Sequence, residues 1–288
     1  MWGAEIGGSI DAAAELVGTR AYVGTDAGAL VALDWGNGEE LWRFETQGSV
    51  DMSPSVSAGR AFVMDSEDIL YAVDAISGEQ IWEFQHQAPE FFTIKGSSPP
   101  LVVGEMVYAG FSDGQLTAFF ADSGEEAWSI DLGDDTGEFG DVDLPIIAQG
   151  DRLIATSYAG GIYALDQETG IIEWHAEIGA VTGLELEQGW LFGTTATGKV
   201  FALDTREGEV YWESEFQEDW AGMGVSLVGR YVVVATSQGP MYWLRIRTGE
   251  PVAKWGPSTG FQQAPVFDDR YGFVMSNQGY LYSFGMAF

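Results

Sequence analysis

The stretch ALDWGNGEELW (residues 32–42) decides the fold. Asp34 stands four residues before Gly38, and Gly38 stands four before Trp42. The spacing returns in AVDAISGEQIW (72–82), ALDQETGIIEW (164–174) and ALDTREGEVYW (202–212). AFFADSGEEAW (118–128) keeps it with Phe120 in place of the aspartate. WLRIRTGEPVAKW (243–255) has Arg245 there and two extra residues before Trp255. A seventh copy begins at YLYSFG (280–285). The physics is that of a hairpin. Short apolar runs such as LYAV and IYAL read as strands. The aspartate bonds the backbone of the turn that follows. The glycine takes the positive φ of that turn. The tryptophan falls on the next strand, where a large flat ring packs between sheets. Gly38, Gly78, Gly124, Gly170, Gly208 and Gly249 are the expected turn glycines.

Upstream of each unit lies a second pair of strands, as in SPSVSAGRAFVMDSEDILYAVD, where AGR makes a turn. Trp42, Trp82, Trp128, Trp174, Trp212 and Trp255 are separated by 40, 46, 46, 38 and 43 residues. Four antiparallel strands in about 40 residues describe a β-propeller blade. The expectation is an all-β, seven-bladed propeller forming one domain over residues 1–288. Trp2 fits the same scheme. Glu5, Gly8, Ser9 and Asp11 follow Trp2 at the offsets at which Glu45, Gly48, Ser49 and Asp51 follow Trp42. Residues 2–8 are therefore expected to supply the fourth strand of the blade formed by about 258–288, closing the ring.

Charge bounds the partners. The chain has 44 acidic and 12 basic residues, a net charge of −32. Lys95, Lys199 and Lys254 are its lysines. Nucleic acid and anionic lipid are poor partners for such a surface. The acids are spread along the chain, which favours a solvated surface suited to high salt over steering toward a basic partner. Cysteine is absent, which excludes disulfides, thiolate metal sites and an acyl-accepting cysteine in this sequence. No apolar run is long enough for a membrane helix, and no secretion signal opens the chain. Met1 reads as a cytoplasmic start or, preferably, as a start placed on a mature domain.

Catalytic patterns are missing. His86 and His175 fall in different repeats, with no histidine pair at ligand spacing. They read as surface or strand residues. There is no G-x-S-x-G elbow. The acidic run DDTGEFGDVD does not match the helix–loop–helix calcium pattern. The expectation is a non-enzyme with no cofactor and no metal. The two 46-residue intervals carry their extra length in QHQAPEFFTIKG (85–96) and DLGDDTGEFGDVD (131–143). Both connect the last strand of one blade to the first of the next, so they should emerge on one face as neighbours. Phe91, Phe92 and Ile94 in such a loop either cap the core or await a partner.

The A-[LV]-D-x-x-[TS]-G-x-x-x-W unit resembles the repeat of PQQ-type, quinoprotein-like propellers. The enzymes of that group need a cation-bound quinone site with asparagine ligands. Here Asn37 and Asn277 are the asparagines, and no such loops can be placed. FFTIKGSSPPLVVGEMVYAGFSDGQLTAF (91–119), DVDLPIIAQGDRLIATSYAGGIYALDQETGIIEW (141–174) and GFQQAPVFDDRYGFVMSNQGYLYSF (260–284) are similar to the BamB family of outer-membrane assembly scaffolds. Its known members commonly have eight blades, against seven here. The resemblance implies a periplasmic, outer-membrane-associated scaffold, its signal and anchor lying outside this sequence. It also implies a POTRA-domain partner from a BamA-like barrel-assembly protein and unfolded outer-membrane clients. The contact residues it implies are Phe92, Ile94 and Lys95, with Asp141 and Asp143. Lysine stands where arginine is usual, so a point charge replaces a bidentate fork. The competing reading is an extracytoplasmic propeller of a high-salt organism that binds a small ligand or carbohydrate.

Overall fold

A computed structural model describes residues 2–87, 98–133, 140–216, 220–268 and 271–285. The chain divides into two compact units, Met1–Glu173 and Trp174–Phe288. Among the described residues every element is a strand, and the strands form seven antiparallel sheets.

In the first unit the first sheet contains Glu15–Val17, Arg20–Thr25, Ala29–Asp34 and Glu40–Glu45, hydrogen-bonded in chain order. The second runs from Ser55–Ser57 to Gln80–Gln85 and the third from Leu101–Val103 to Glu126–Asp131. The fourth begins at Ile147–Gln149, and its outer strand Ile172–Ala176 leads the chain into the second unit. There the fifth sheet runs from Val181–Glu187 to Val210–Glu215, and the sixth from Gly222–Val228 to Pro251–Trp255. The seventh has three described strands, Val266–Phe267, Tyr271–Met275 and Leu281–Gly285.

The second and third strands of most sheets are buried on both faces, so they read as continuous apolar runs instead of alternating ones. Alternate residues serve different cores. Tyr22, Leu30 and Trp42 of the first sheet pack with Val63 and Tyr71 of the second. Phe62, Leu70 and Trp82 of the second pack with Val107 and Phe119 of the third. In the second unit Phe192 and Trp212 pack with Val232 and Leu244.

The repeat motif builds one end of each blade. In the turn after Asp34, the amides of Gly36 and Asn37 donate to Asp34 Oδ1 and Gly38 N–H donates to Asp34 O. Asp74 accepts from Ser77 and Ile76, and these bonds hold its carboxyl below the usual range. Phe120 keeps only the backbone part, Gly124 N–H to Phe120 O at 2.8 Å.

Each turn receives a tryptophan from the preceding repeat. Trp42 lies over Gly78 and donates its indole N–H to Ala75 O at 3.3 Å. Trp82 meets Gly124 and Ala121 O, and Trp128 meets Gly170 and Gln167 O. Trp174 meets Gly208 and Thr205 O, and Trp212 meets Gly249 and Ile246 O. Gly78 has φ of +74°, and a Cβ there would lie 2.6 Å from the Trp42 ring. Both the backbone and the ring therefore require glycine.

Two features depart from the repeat as read in the sequence. Trp42, Trp82, Trp128 and Trp212 pair with Ala32, Ala72, Ala118 and Ala202 on their third strands. A bulge follows at once in each ladder and leaves the residue before the tryptophan (Leu41, Ile81, Ala127 or Tyr211) unpaired and exposed. In the sixth sheet the pair is inverted. Trp243 on the third strand faces Ala253 on the fourth. Trp255 lies two residues further along, opposite Met241, and packs on Tyr282 and Phe284. The two extra residues thus displace Trp255 from the repeat position, and the large ring has crossed to the other strand.

The second feature is the start of the chain. Residues 2–8 belong to no strand, and the seventh sheet has three described strands. Side chains and loop amides hold this segment in place of a ladder. Arg43 Nη2 donates to Ile6 O, Asp26 takes the Ser9 amide and hydroxyl, and Ile6 packs on Ala21 and Val31. Trp2 nonetheless docks as the repeat tryptophans do. It lies over Gly38 and donates to Trp35 O at 3.0 Å.

Candidate protein-interaction site

The opposite end of the first unit's blades carries the connections between sheets. Here the turn Phe111–Gly114, between the second and third strands of the third sheet, organises both long connections. The first arrives through His86. Its amide donates to Asp68 O, its ring stacks on Phe111 at 4.4 Å, and its Nε2 lies 2.7 Å from Asp113 Oδ2. It leaves through Ser98, whose amide donates to Gly110 O while its Oγ accepts from Gly110 N–H. The second arrives through Leu132, whose amide donates to Gly114 O. It leaves through Gly140–Asp143, where Val142 N–H donates to Phe111 O and Val142 packs on Gly110. The neighbouring turn of the fourth sheet also grips it, through Ser157 Oγ to Gly140 O and Tyr158 N–H to Asp141 O.

A Cβ on Gly114 would lie 2.8 Å from Gly140 O and 3.0 Å from Gly133 N, so the chain segments approach at a spacing only glycine allows. The ends of both connections are therefore pinned to one stretch, Gly110–Gly114, as expected of neighbouring loops on one face.

The electrostatics are acidic and partly buried. Burial pushes the Asp68 carboxyl up, and the Ser112 hydroxyl donates to it. Burial also opposes ionisation of Asp113, but the hydrogen bonds from His86 and Gln115 N–H outweigh it and hold that carboxyl low. Burial, with Asp143 nearby, raises Asp141 to about 6. Asp143 is raised by burial as well. Asp141 is 2% exposed, and its Oδ1 has no hydrogen-bond partner among the described residues.

The sequence reading places Phe92, Ile94 and Lys95 in this site, and all three lie outside the described residues. Asp141 and Asp143 lie in the Gly140–Asp143 stretch, but not as two open charges. Val142 draws the backbone into the core of the third and fourth sheets, and Asp141 goes under with it. His86–Asp113 and Asp68–Ser112 went unread. These partners are 27 and 44 residues apart and join different sheets, so no local pattern marks them. Among the described residues no group of three or more His, Cys, Asp or Glu could hold a metal ion.

Four-stranded sheets, locked in series by an aspartate turn, a glycine and a tryptophan, make this a β-propeller protein of the PQQ-repeat type. Its distinctive surface is a loop face. The family described as "Outer membrane protein assembly factor BamB" matches residues 1–214, and the chain belongs to that family. The chain is 27% identical over 202 residues to the outer membrane protein assembly factor BamB of Legionella pneumophila, covering 68% of this chain and 52% of the relative. It is 32% identical over 238 residues to that of Alteromonas naphthalenivorans, covering 81% and 57%. The crystal structure of BamB from Moraxella catarrhalis superposes with a TM-score of 0.84 at 21% identity, over 97% of this chain and 86% of that one. That likeness shows the fold. The chain spans about half the length of the curated relatives it matches.

Proposed function

We propose that this chain is a non-enzymatic scaffold of outer-membrane protein assembly, in the periplasm and associated with the outer membrane. Its partner is a POTRA domain of a BamA-like barrel-assembly protein, and its clients are unfolded outer-membrane proteins. No bond is made or broken. The observation that carries the reading is the pinning of both long connections to the turn Phe111–Gly114 in a member of this family. A rigid base presents its loops with little ordering cost on binding.

In this reading Phe92 and Ile94 are apolar anchors, whose truncation typically costs about 1–3 kcal/mol of binding. Lys95 and Asp143 set register and encounter rate, and buried Asp141 shapes the loop that carries Asp143. The test is calorimetric titration of the whole chain with the POTRA domains of the barrel-assembly protein from the same genome. Phe92→Ala and Ile94→Ala are expected to weaken binding at least fivefold with unchanged melting temperature. Loss of several degrees of melting temperature with intact binding would overturn the assignment, because these residues would then be capping the core.

A further inference from the structure

Cross-strand register places Trp190 opposite the turn aspartate Asp204. Three other sheets put an arginine at that place: Arg20 opposite Asp34, Arg60 opposite Asp74 and Arg152 opposite Asp166. Arg20 shows what the arginine does. Its Nη1 donates to Ala75 O at 2.6 Å, across the mouth of the cleft between the first and second sheets. Trp190 instead packs on Tyr211 at 5.0 Å, the two rings inclined at 54°. Tyr211 is 64% exposed, at a place where the first two sheets carry Leu41 and Ile81. The cleft between the fifth and sixth sheets measures about 580 Å³, against about 360 and 330 Å³ for its counterparts between the first three sheets. Glu187 and Gln188 stand on one rim, and Ile246 and Arg247 on the other.

We propose that this cleft binds a neutral saccharide. A corner of two aromatic rings suits the apolar C–H face of a sugar ring. A carboxylate, an amide and a guanidinium around it match a hydroxyl edge, which both donates and accepts. A purely apolar occupant would cover these polar groups without bonding them, at a cost in desolvation. Charge narrows the choice further. The net charge of −32 repels an anionic ligand, and on the rim Arg247 offsets Glu187, so the cleft itself offers no net charge to hold a cationic one. The cleft has the size of a small-molecule site. The inference rests on the second unit alone and is independent of the assembly reading.

The experiment is calorimetric titration of the whole chain with three neutral oligosaccharides of different linkage: cellohexaose, maltohexaose and chitotetraose. Choline and polygalacturonate serve as the cationic and anionic probes. Saturable binding of at least one neutral oligosaccharide is expected. Trp190→Arg, which installs the residue of the sibling sheets, should weaken it at least tenfold, and Tyr211→Ala at least fivefold. The exposed Tyr211 carries the test if Trp190→Arg does not fold. No saturable binding to any of the three, tighter binding of choline or polygalacturonate, or binding unchanged in the folded variants would overturn the proposal.

Discussion

The two ends of the blades in the first unit are built by different rules. At one end a single device recurs: a turn, led by aspartate in all but the Phe120 copy, a positive-φ glycine and a tryptophan bonded to the carbonyl beside the turn. Trp2, Trp42, Trp82 and Trp128 all use it. At the other end only backbone contacts repeat: Leu132 N–H to Gly114 O and Val142 N–H to Phe111 O have counterparts in Thr46 N–H to Gly28 O and Val50 N–H to Thr25 O, and Val50 packs on Gly24 as Val142 packs on Gly110. Side chains set the turn Phe111–Gly114 apart: His86 stacks on Phe111 and meets Asp113, and the Ser112 hydroxyl donates to Asp68. Repetition fixes the fold, and the irregular end is free to be specific. A repeated contact can be lost and gained without changing what the surface recognises, whereas a singular one cannot.

The largest expected effect lies at the repeated end. Trp82 is 9% exposed and is wedged against the glycine of the next turn. Trp82→Ala should cost on the order of 3–5 kcal/mol in urea unfolding. It should leave partner binding by the folded fraction unchanged. A cost under about 1 kcal/mol would mean that the tryptophan lock is ornamental and the comparison fails.

The irregular end is expected to respond with the opposite sign at Asp141. A carboxyl at about 6 lies well above the roughly 3.9 of an exposed aspartate, so the folded state prefers its protonated form. Stability from this residue is complete below pH 4 and is lost as the pH rises through 6. Asp141→Asn should therefore stabilise the protein at pH 8 by up to about 3 kcal/mol and have no effect at pH 3.5. Melting curves at the two pH values check this. Equal shifts at both would show that the carboxyl's ionisation is not what the fold resists. Such a gain would mark a charge kept at the expense of stability.

These two residues also show what could be read in advance. The D-x-x-x-G-x-x-x-W spacing is local, because turn chemistry and strand period act within a dozen residues, and the blades follow from it. Trp255 was misplaced because the two extra residues before it do not say which strand absorbs them. The ladder shows Ala253 at the repeat position and the large ring moved to Trp243. Asp141 was expected as a partner contact because the resemblance implies it, and a matching motif carries no information on burial. Its burial follows from Val142 entering the core between the third and fourth sheets, a tertiary contact that no local pattern marks. Trp190 was equally hidden. It looks like an ordinary strand residue until register aligns it with Arg20, Arg60 and Arg152.

A smaller effect is expected at the His86–Asp113 pair. The pair is nearly buried at 2.7 Å, and His86→Ala leaves Asp113 without its ring partner. A hydrogen bond to a charged group contributes about 1.5–3 kcal/mol, so a loss of about 2 kcal/mol is expected in urea unfolding. Unlike the Trp82 variant, this one should also weaken partner binding, because His86 anchors the entry of the first connection. Smallest is the salt response, which touches both ends alike. With a net charge of −32, self-repulsion should relax and the melting temperature rise up to about 1 M salt, where the Debye length is roughly 3 Å. A flat response would show that the acids are already compensated.

The most direct measurement of the difference between the two ends is hydrogen exchange of the whole chain, with and without the POTRA partner. Slowed exchange is predicted in peptides covering residues 86–98 and 132–146, with none at the turns 34–39, 74–79 and 166–171. Protection centred on those repeated turns, or no change in the two connections on saturation with partner, would contradict the account.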